Sequence, residues 1–355
     1  MKVFWFLLFP FAFLYGFFMR LRRWFFNSIF MKRTSFDFPT IGVGNLSVGG
    51  TGKSPQVEYL ARLLKDDYNV AILSRGYGRK TRGHVLADDE QTASTIGDEP
   101  MMFYSRFKDE LKVVVSESRR KGVKRLKEDF PDINLILFDD VYQHLSVKCG
   151  LNILLTDYYS PYFRNYLMPV GSLRESSKVA KHADIIVVTK CPKVLSPLEI
   201  ADFVSKINLL DNQSLYFTYY EYEDLVPVNN LAQNYDLSNI GKILMFTGIA
   251  NPYPMKKHLE QFASELIELS FMDHHNYSRK DLLQIKKTFD DLLGINKIVI
   301  TTEKDYMRLK CMDCGDLINS IPLFYLPINV SFHQNKKDVF NQQIIDYVRK
   351  NSRNS

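Results

Sequence analysis

Cysteine is scarce, with four in 355 residues, at 149, 191, 311 and 314. Their spacing is not that of a disulfide framework, which excludes a small cross-linked secreted scaffold and points to a reducing compartment. Cys311 and Cys314 form a single Cys-x-x-Cys pair. Structural zinc needs two more ligands, and no second pair supplies them, so all four read as unpaired thiols. Charge of one sign is not in large excess: 46 basic against 40 acidic residues leave +6. That mild balance suits an anionic ligand or an anionic membrane surface. The aromatics are not interleaved with a basic face, which argues against a nucleic-acid partner. Internal repeats and long low-complexity tracts are absent, and aromatics at 14% exclude a disordered chain. A full-length membrane-spanning run is missing as well. Residues 3–19 carry no charge, but 17 residues as a helix reach only about 26 Å against a hydrocarbon core of about 30 Å. Pro10 and Gly16 interrupt this run, and Arg20, Arg22, Arg23, Lys32 and Arg33 follow it. No small-residue cleavage site marks it as a secretory signal. It reads as a short spanning helix or as an aromatic-rich helix lying in the interface. If it spans, the arginines after it keep the main body in the cytoplasm.

What is present centres on residues 40–55. An apolar run leads into Ser47-Val48-Gly49-Gly50-Thr51-Gly52-Lys53-Ser54 and then Pro55. The pattern is strand, glycine-rich turn, helix start. Such a turn points successive N–H groups at an anion, and the helix N-terminus adds unpaired donors and positive potential. Lys53 is placed to reach the β- and γ-phosphates and Ser54 to offer its hydroxyl to Mg²⁺. Ser47 stands where the strict motif has its first glycine.

Further motifs follow in order. Residues 133–140 are an apolar strand ending in Asp139 and Asp140, the position at which phosphate-loop folds hold their metal carboxylate. Arg75 sits in Ser74-Arg75-Gly76-Tyr77-Gly78 after another strand, where loops line a ligand crevice. Gly97-Asp98-Glu99-Pro100 reads as an acidic loop, and a carboxylate there can deprotonate a hydroxyl nucleophile. Gly171-Ser172-Leu173-Arg174-Glu175 places an arginine and a glutamate between strands. Asp273-His274-His275 puts neighbouring imidazoles on opposite sides of the backbone, which disfavours a shared metal. Thr301-Thr302-Glu303-Lys304-Asp305 closes a late strand. The cations of 119–127 read as a solvated helix face or a contact for anionic lipid.

The pattern as a whole predicts an α/β fold: a P-loop NTPase-like, doubly wound, mostly parallel sheet, with an N-terminal membrane helix and a second, smaller α/β unit. Strands are expected at 40–46, 69–73, 112–115, 135–138, 152–155 and 184–189. A further unit is expected with strands at 242–247, 297–301 and near 323–326, and helices at 257–268 and 279–293. The implied divisions are an apolar helix at 1–34, a kinase domain at 35–213, an extended linker at 214–229 and a second domain at 230–350. The tail from Asn351 is polar and reads as frayed.

Taken in series, these motifs resemble the tetraacyldisaccharide 4′-kinase family, the lipid A 4′-kinases. The resemblance runs from about residue 1 to 330. It implies transfer of the ATP γ-phosphate, with Mg²⁺, to the 4′-hydroxyl of a tetraacyl disaccharide 1-phosphate, at the cytoplasmic face of a Gram-negative inner membrane. It matches Lys53 and Ser54 to phosphate and Mg²⁺, and Ser47 to Ser54 as a whole to the nucleotide loop. Asp139 and Asp140 match the acidic pair, with Asp139 and Ser54 at the metal. Asp98 matches the catalytic base and His274 its partner. Glu175, Arg75, Gln143 and Arg174 match further active-site positions. Val141 stands where the family has glycine, which leaves the backbone beside the metal site open. No obligate protein partner is implied. A rival reading, a membrane-associated switch ATPase, would leave Asp98 and Asp273-His274 without a task.

Overall fold

The computed structural model describes residues 2–27, 33–294, 296–310, 312 and 314–352. Lys32 and Cys311 of the sequence reading lie outside these residues. The chain opens with α1 (Lys2–Asn27). Eight strands follow: β1 (Thr40–Asn45), β2 (Val70–Ser74), β3 (Val85–Leu86), β4 (Lys112–Val115), β5 (Leu135–Asp139), β6 (Leu151–Asp157), β7 (Ile185–Thr189) and β8 (Ser214–Tyr222). Between them run α2 (Lys53–Leu64), α3 (Ala93–Ile96), α4 (Asp98–Phe107), α5 (Arg119–Asp129) and α6 (Pro197–Ile207). The second unit carries β9 (Val226–Pro227), β10 (Lys242–Thr247), β11 (Glu265–Ser270), β12 (Lys297–Thr302) and β13 (Leu323–Leu326). Its helices are α7 (Asn230–Gln233), α8 (Tyr253–Leu259), α9 (Arg279–Asp291), α10 (Glu303–Lys310) and α11 (Gly315–Ile318). The chain then returns through β14 (Ile328–Phe332) and α12 (Lys337–Ser352).

The large sheet has the order β14-β8-β7-β6-β1-β5-β2-β4-β3, and the small one β11-β10-β12-β13-β9. The neighbours of β1 are both parallel to it. That arrangement needs a helical crossover between strands and cover on both faces. Period-two alternation supplies the cover. Ile41, Val43 and Ile72 face a core completed by Val57, Leu60, Phe103 and Phe340 of α2, α4 and α12. Ala71, Leu73 and Phe138 face another, closed by Val123, Leu126 and Phe203 of α5 and α6. The long apolar strands of the sequence are therefore the central strands here.

Three expectations are corrected. Residues 214–222 are not linker: β8 pairs with β7 and with β14. Its Tyr/Phe alternation is that of a strand whose partner lies over a hundred residues downstream, out of reach of local pattern reading. Residues 328–352 belong with the large sheet, not with the second unit, because Phe340, Ile344 and Val348 of α12 bury against it. The segment 265–268 is strand rather than helix: parallel pairing with β10 overrides a Leu-Ile-Glu-Leu run that suits either state.

The helix α1 touches the body through Ala12, Gly16 and Tyr15. A Cβ at Gly16 would lie 2.7 Å from Leu167 Cδ1. The opposite face leaves Phe11, Phe13, Phe17, Phe18 and Trp24 more than half exposed. Among the described residues, no helix is long and apolar enough to cross a membrane.

Candidate active site

The carboxyl ends of the two sheets face one another, the place where open α/β sheets hold ligands. On the large sheet, β1 ends at Asn45 and the glycine-rich turn begins. Gly52 has φ 83°, a left-handed value that a side chain resists, and a Cβ there would come within 2.5 Å of the Tyr220 hydroxyl. Glycine thus lets the turn curl into α2. Thr189 Oγ1 donates to Thr51 O at 2.9 Å, and Lys190 Nζ donates to Gly50 O. Both tie the turn to the end of β7, and Asp157 holds Lys190 at 2.9 Å.

Lys53 opens α2. Its Nζ donates to Asn45 Oδ1 at 3.3 Å and stands 3.7 Å from Asp140 Oδ1. The neighbouring strand β5 brings Asp139 level with Val43. Asp139 is 4% exposed and accepts from Ser74 Oγ at 3.1 Å, while its Oδ1 is buried with no partner. Burial, with the charge of Asp140 next, pushes its carboxyl up to about 6. Asp140 has φ 49° and turns back toward Lys53. Arg174 forks onto it at 3.1 and 3.3 Å. Burial opposes its ionisation, but Lys53 and Arg174 outweigh that and hold its carboxyl below the ordinary value. The Val141 side chain lies directly over Gly42, so the backbone turn beside the acidic pair is made by Asp140.

The second half of the site starts at Gly97, whose φ is 98°. A Cβ there would lie 3.1 Å from Gly76 Cα and Tyr77 O. The absent side chain lets the 74–78 loop pack on the start of α4. Asp98 is not in a loop, as its motif suggested, but in the first turn of α4, with Pro100 where proline costs no hydrogen bond. His274, with φ 59°, comes from the loop after β11 and sets Nδ1 3.4 Å from Asp98 Oδ2. His275 turns the other way, 3.2 Å from Asp281 and stacked on Phe271. Arg308 of α10 donates to the same Asp98 oxygen at 2.8 Å from Nε. Burial would raise the Asp98 pKa. The His274 hydrogen bond and the Arg308 charge prevail and hold it below the usual carboxylate range.

The other named residues fall around this rim. Arg75 is exposed on a groove shared with Tyr77, Arg79 and Arg82. Gln143 Nε2 donates to Asn45 O at 2.9 Å, propping the end of β1. Glu175 is buried and ion-paired to Arg23 of α1. Tyr15 Oη donates to Arg174 O at 2.9 Å, and Arg22 Nη2 to Gln143 O at 2.8 Å. Ser54 follows Lys53 in the first turn of α2. Sequence reasoning gave no role to Asn45, Lys190, Arg308 or Lys304, the last named only as part of the motif at 301–305. For the last two a signal existed: Lys304 and Arg308 are four apart on the helix after Thr302, hence on one face.

The family model for tetraacyldisaccharide-1-P 4′-kinase matches residues 4–349. A tetraacyldisaccharide 4′-kinase of Bacteroides thetaiotaomicron is 42% identical, over 98% of this chain and 94% of its own. Another, of Flavobacterium johnsoniae, is 42% identical over 97% of each. Among solved structures, LpxK from Aquifex aeolicus, described as an "apo" form in complex with ATP, superposes with a TM-score of 0.69 at 27% identity. The match covers 96% of this chain and 98% of that one. A match that runs through both sheets, with the phosphate loop intact, settles kinship: the chain belongs to the tetraacyldisaccharide 4′-kinase family and is a kinase.

Proposed function

We propose that this kinase transfers the γ-phosphate of ATP to the 4′-hydroxyl of the tetraacyl disaccharide 1-phosphate, the lipid A precursor, with Asp98 as general base. The observation that carries the reading is a single bridge. The loop 74–78 hydrogen-bonds Asp139 at one end through Ser74 and packs on Gly97, next to Asp98, at the other. One rim therefore carries both a phosphate-binding loop and a candidate base.

The glycine turn and Lys53 bind and neutralise the phosphates, and Asn45 aims the lysine. Arg174 keeps Asp140 ionised beside Lys53. Asp98 accepts the proton of the attacking hydroxyl, and His274, on its Oδ2, orients the carboxylate. Arg75 and Gln143 flank the acceptor side. Glu175 acts from behind by anchoring Arg23. The donor set fits Mg²⁺. Asp139 Oδ1 is a buried acceptor without a donor, and Ser54 supplies a hydroxyl, as hard cations prefer. When bound, Mg²⁺ would withdraw charge from the transferring phosphate.

The helix α1 suits the interface. Among the described residues its aromatic face is largely exposed, and exposed Arg20 at its C-terminal half suits an anionic surface. A site that uses ATP puts this on the cytoplasmic face of the inner membrane. The test is transfer of labelled γ-phosphate to the tetraacyl disaccharide 1-phosphate in detergent micelles, wild type beside Lys53→Ala and Asp98→Asn. We expect labelled lipid with wild type alone, both variants falling at least about 10²-fold. Free phosphate without labelled lipid would mean a switch ATPase. Full activity in Asp98→Asn would remove the base.

A further inference from the structure

We propose that Arg308 is the positioning residue for Asp98, pinning one carboxylate oxygen so that the other is presented to the acceptor. This rests on the reading of Asp98 as the base. The two residues come from different units: Asp98 from α4 of the large unit, Arg308 from α10 of the second.

Both Nε and Nη2 of Arg308 reach Asp98 Oδ2, at 2.8 and 2.7 Å. His274 Nδ1 approaches the same oxygen at 3.4 Å. All three contacts fall on Oδ2, which leaves Oδ1 for a substrate hydroxyl. The guanidinium is itself held from behind. Its Nη1 donates to Asp305 Oδ1 at 2.7 Å and to Gly248 O at 3.1 Å. Asp305 is wholly buried and accepts from Gly248 N at 3.0 Å and Thr302 Oγ1 at 2.7 Å. The line Thr302–Asp305–Arg308–Asp98 therefore runs from the carboxyl ends of β10 and β12 to the base. A rigid sheet, not a loop, sets the carboxylate's angle.

The chemistry favours arginine here. Its planar fork fixes orientation, which an ammonium cannot, and it stays protonated, so it does not compete for the proton that Asp98 accepts. Beside Asp98 and Arg308 stand the further charged groups Asp305, His274, Lys304 and Glu99, and Arg308 Nη2 also lies 3.2 Å from His274 Nδ1. Lys304 Nζ sits 2.7 Å from Glu99 Oε1 and 3.4 Å from His274 Nε2. A second ion pair, Arg106 with Glu303, joins the same two helices. The units thus have two further ties across α4 and α10, and docking does not hang on Arg308.

The test compares Arg308→Ala and Arg308→Lys with wild type and Asp98→Asn, reading kcat and KM for both substrates across pH, ATP affinity and thermal melting. For Arg308→Ala we expect kcat to fall about 10–100-fold through lost orientation. The acid limb of kcat/KM should move up by about one pH unit as the opposite charge is lost, with ATP affinity unchanged. Arg308→Lys should restore the acid limb but only part of kcat. If Arg308→Ala does not fold, Arg308→Lys decides, and wild-type kcat there overturns the proposal. So does an Arg308→Ala enzyme with an unmoved acid limb, or one that loses ATP binding in step with kcat. An active Asp98→Asn enzyme would sink the base reading itself. A dead Asp98→Asn beside an unaffected Arg308→Ala would sink only this inference.

Discussion

The uncovered face of α1 makes a quantitative prediction. Phe13 is 75% exposed. A phenylalanine presents about 200 Å² of apolar surface, so about 150 Å² of it meets water at this position. At about 25 cal/mol per Å², full burial in acyl chains is worth about 3.7 kcal/mol. A helix lying at the headgroup boundary sinks its side chains only part way, and half of that, about 2 kcal/mol, is the working figure. Phe13→Ser should therefore weaken binding to anionic vesicles about 30-fold. The assay is co-flotation or tryptophan fluorescence against vesicle concentration. Phe262→Ser serves as control, since Phe262 is 54% exposed but sits in the second unit. Melting temperature should not change, because the Phe13 ring is mostly in solvent. Equal binding by wild type and Phe13→Ser, or an equal loss in Phe262→Ser, would refute an interfacial role for this face.

Two further outcomes are expected. Gly52→Ala should abolish ATP binding at millimolar concentration while the protein still folds. The left-handed backbone costs a side chain about 1–2 kcal/mol, and the added Cβ sits 2.5 Å from Tyr220 Oη, so the turn or the Tyr220 ring must shift; measurable ATP affinity by calorimetry would contradict this. His144 is neutral in the fold because burial, with Arg119 and Arg75 next, lowers its pKa to about 3. Its stability contribution is complete above the unfolded value of about 6.5 and is lost as pH falls toward about 3. Wild type should therefore lose about 1 kcal/mol more than His144→Gln between pH 7.5 and 5.5 by urea unfolding. A pH-independent difference between the two would show that folding does not lower the His144 pKa.

The site was legible in the sequence where chemistry is local. Ser47 to Ser54, Asp139 and Asp140 declare themselves by residue type next to a strand end, and the structure sets Lys53 of that turn 3.7 Å from Asp140. Asp98 and His274 lie in separate units, one on a helix and one in a loop, and their approach depends on how the two units dock, which no local pattern encodes. Arg308 escaped notice because its role comes from a fork aimed across that seam. The fold divides the same way. Central parallel strands are apolar on both faces and easily read, whereas β14 is an edge strand whose antiparallel pairing with β8 joins distant parts of the chain.

That last pair has a mechanical consequence. The chain leaves the large sheet along β8 and returns along β14, with Tyr222 opposite Ile328. The second unit is thus carried on a two-stranded stalk rather than a single tether. A single tether permits swivelling about every axis, but two bonded strands resist twist and lateral shear and yield mainly to bending across their width. The unit should rock like a jaw on one axle. Such rocking alters the gap between Asp98 and the pair His274 and Arg308 while leaving Lys53, Asp139 and Asp140 undisturbed. If Asp98 is the base, nucleotide grip and proton removal would be mechanically separable, the first built into one unit and the second spanning the seam between the two.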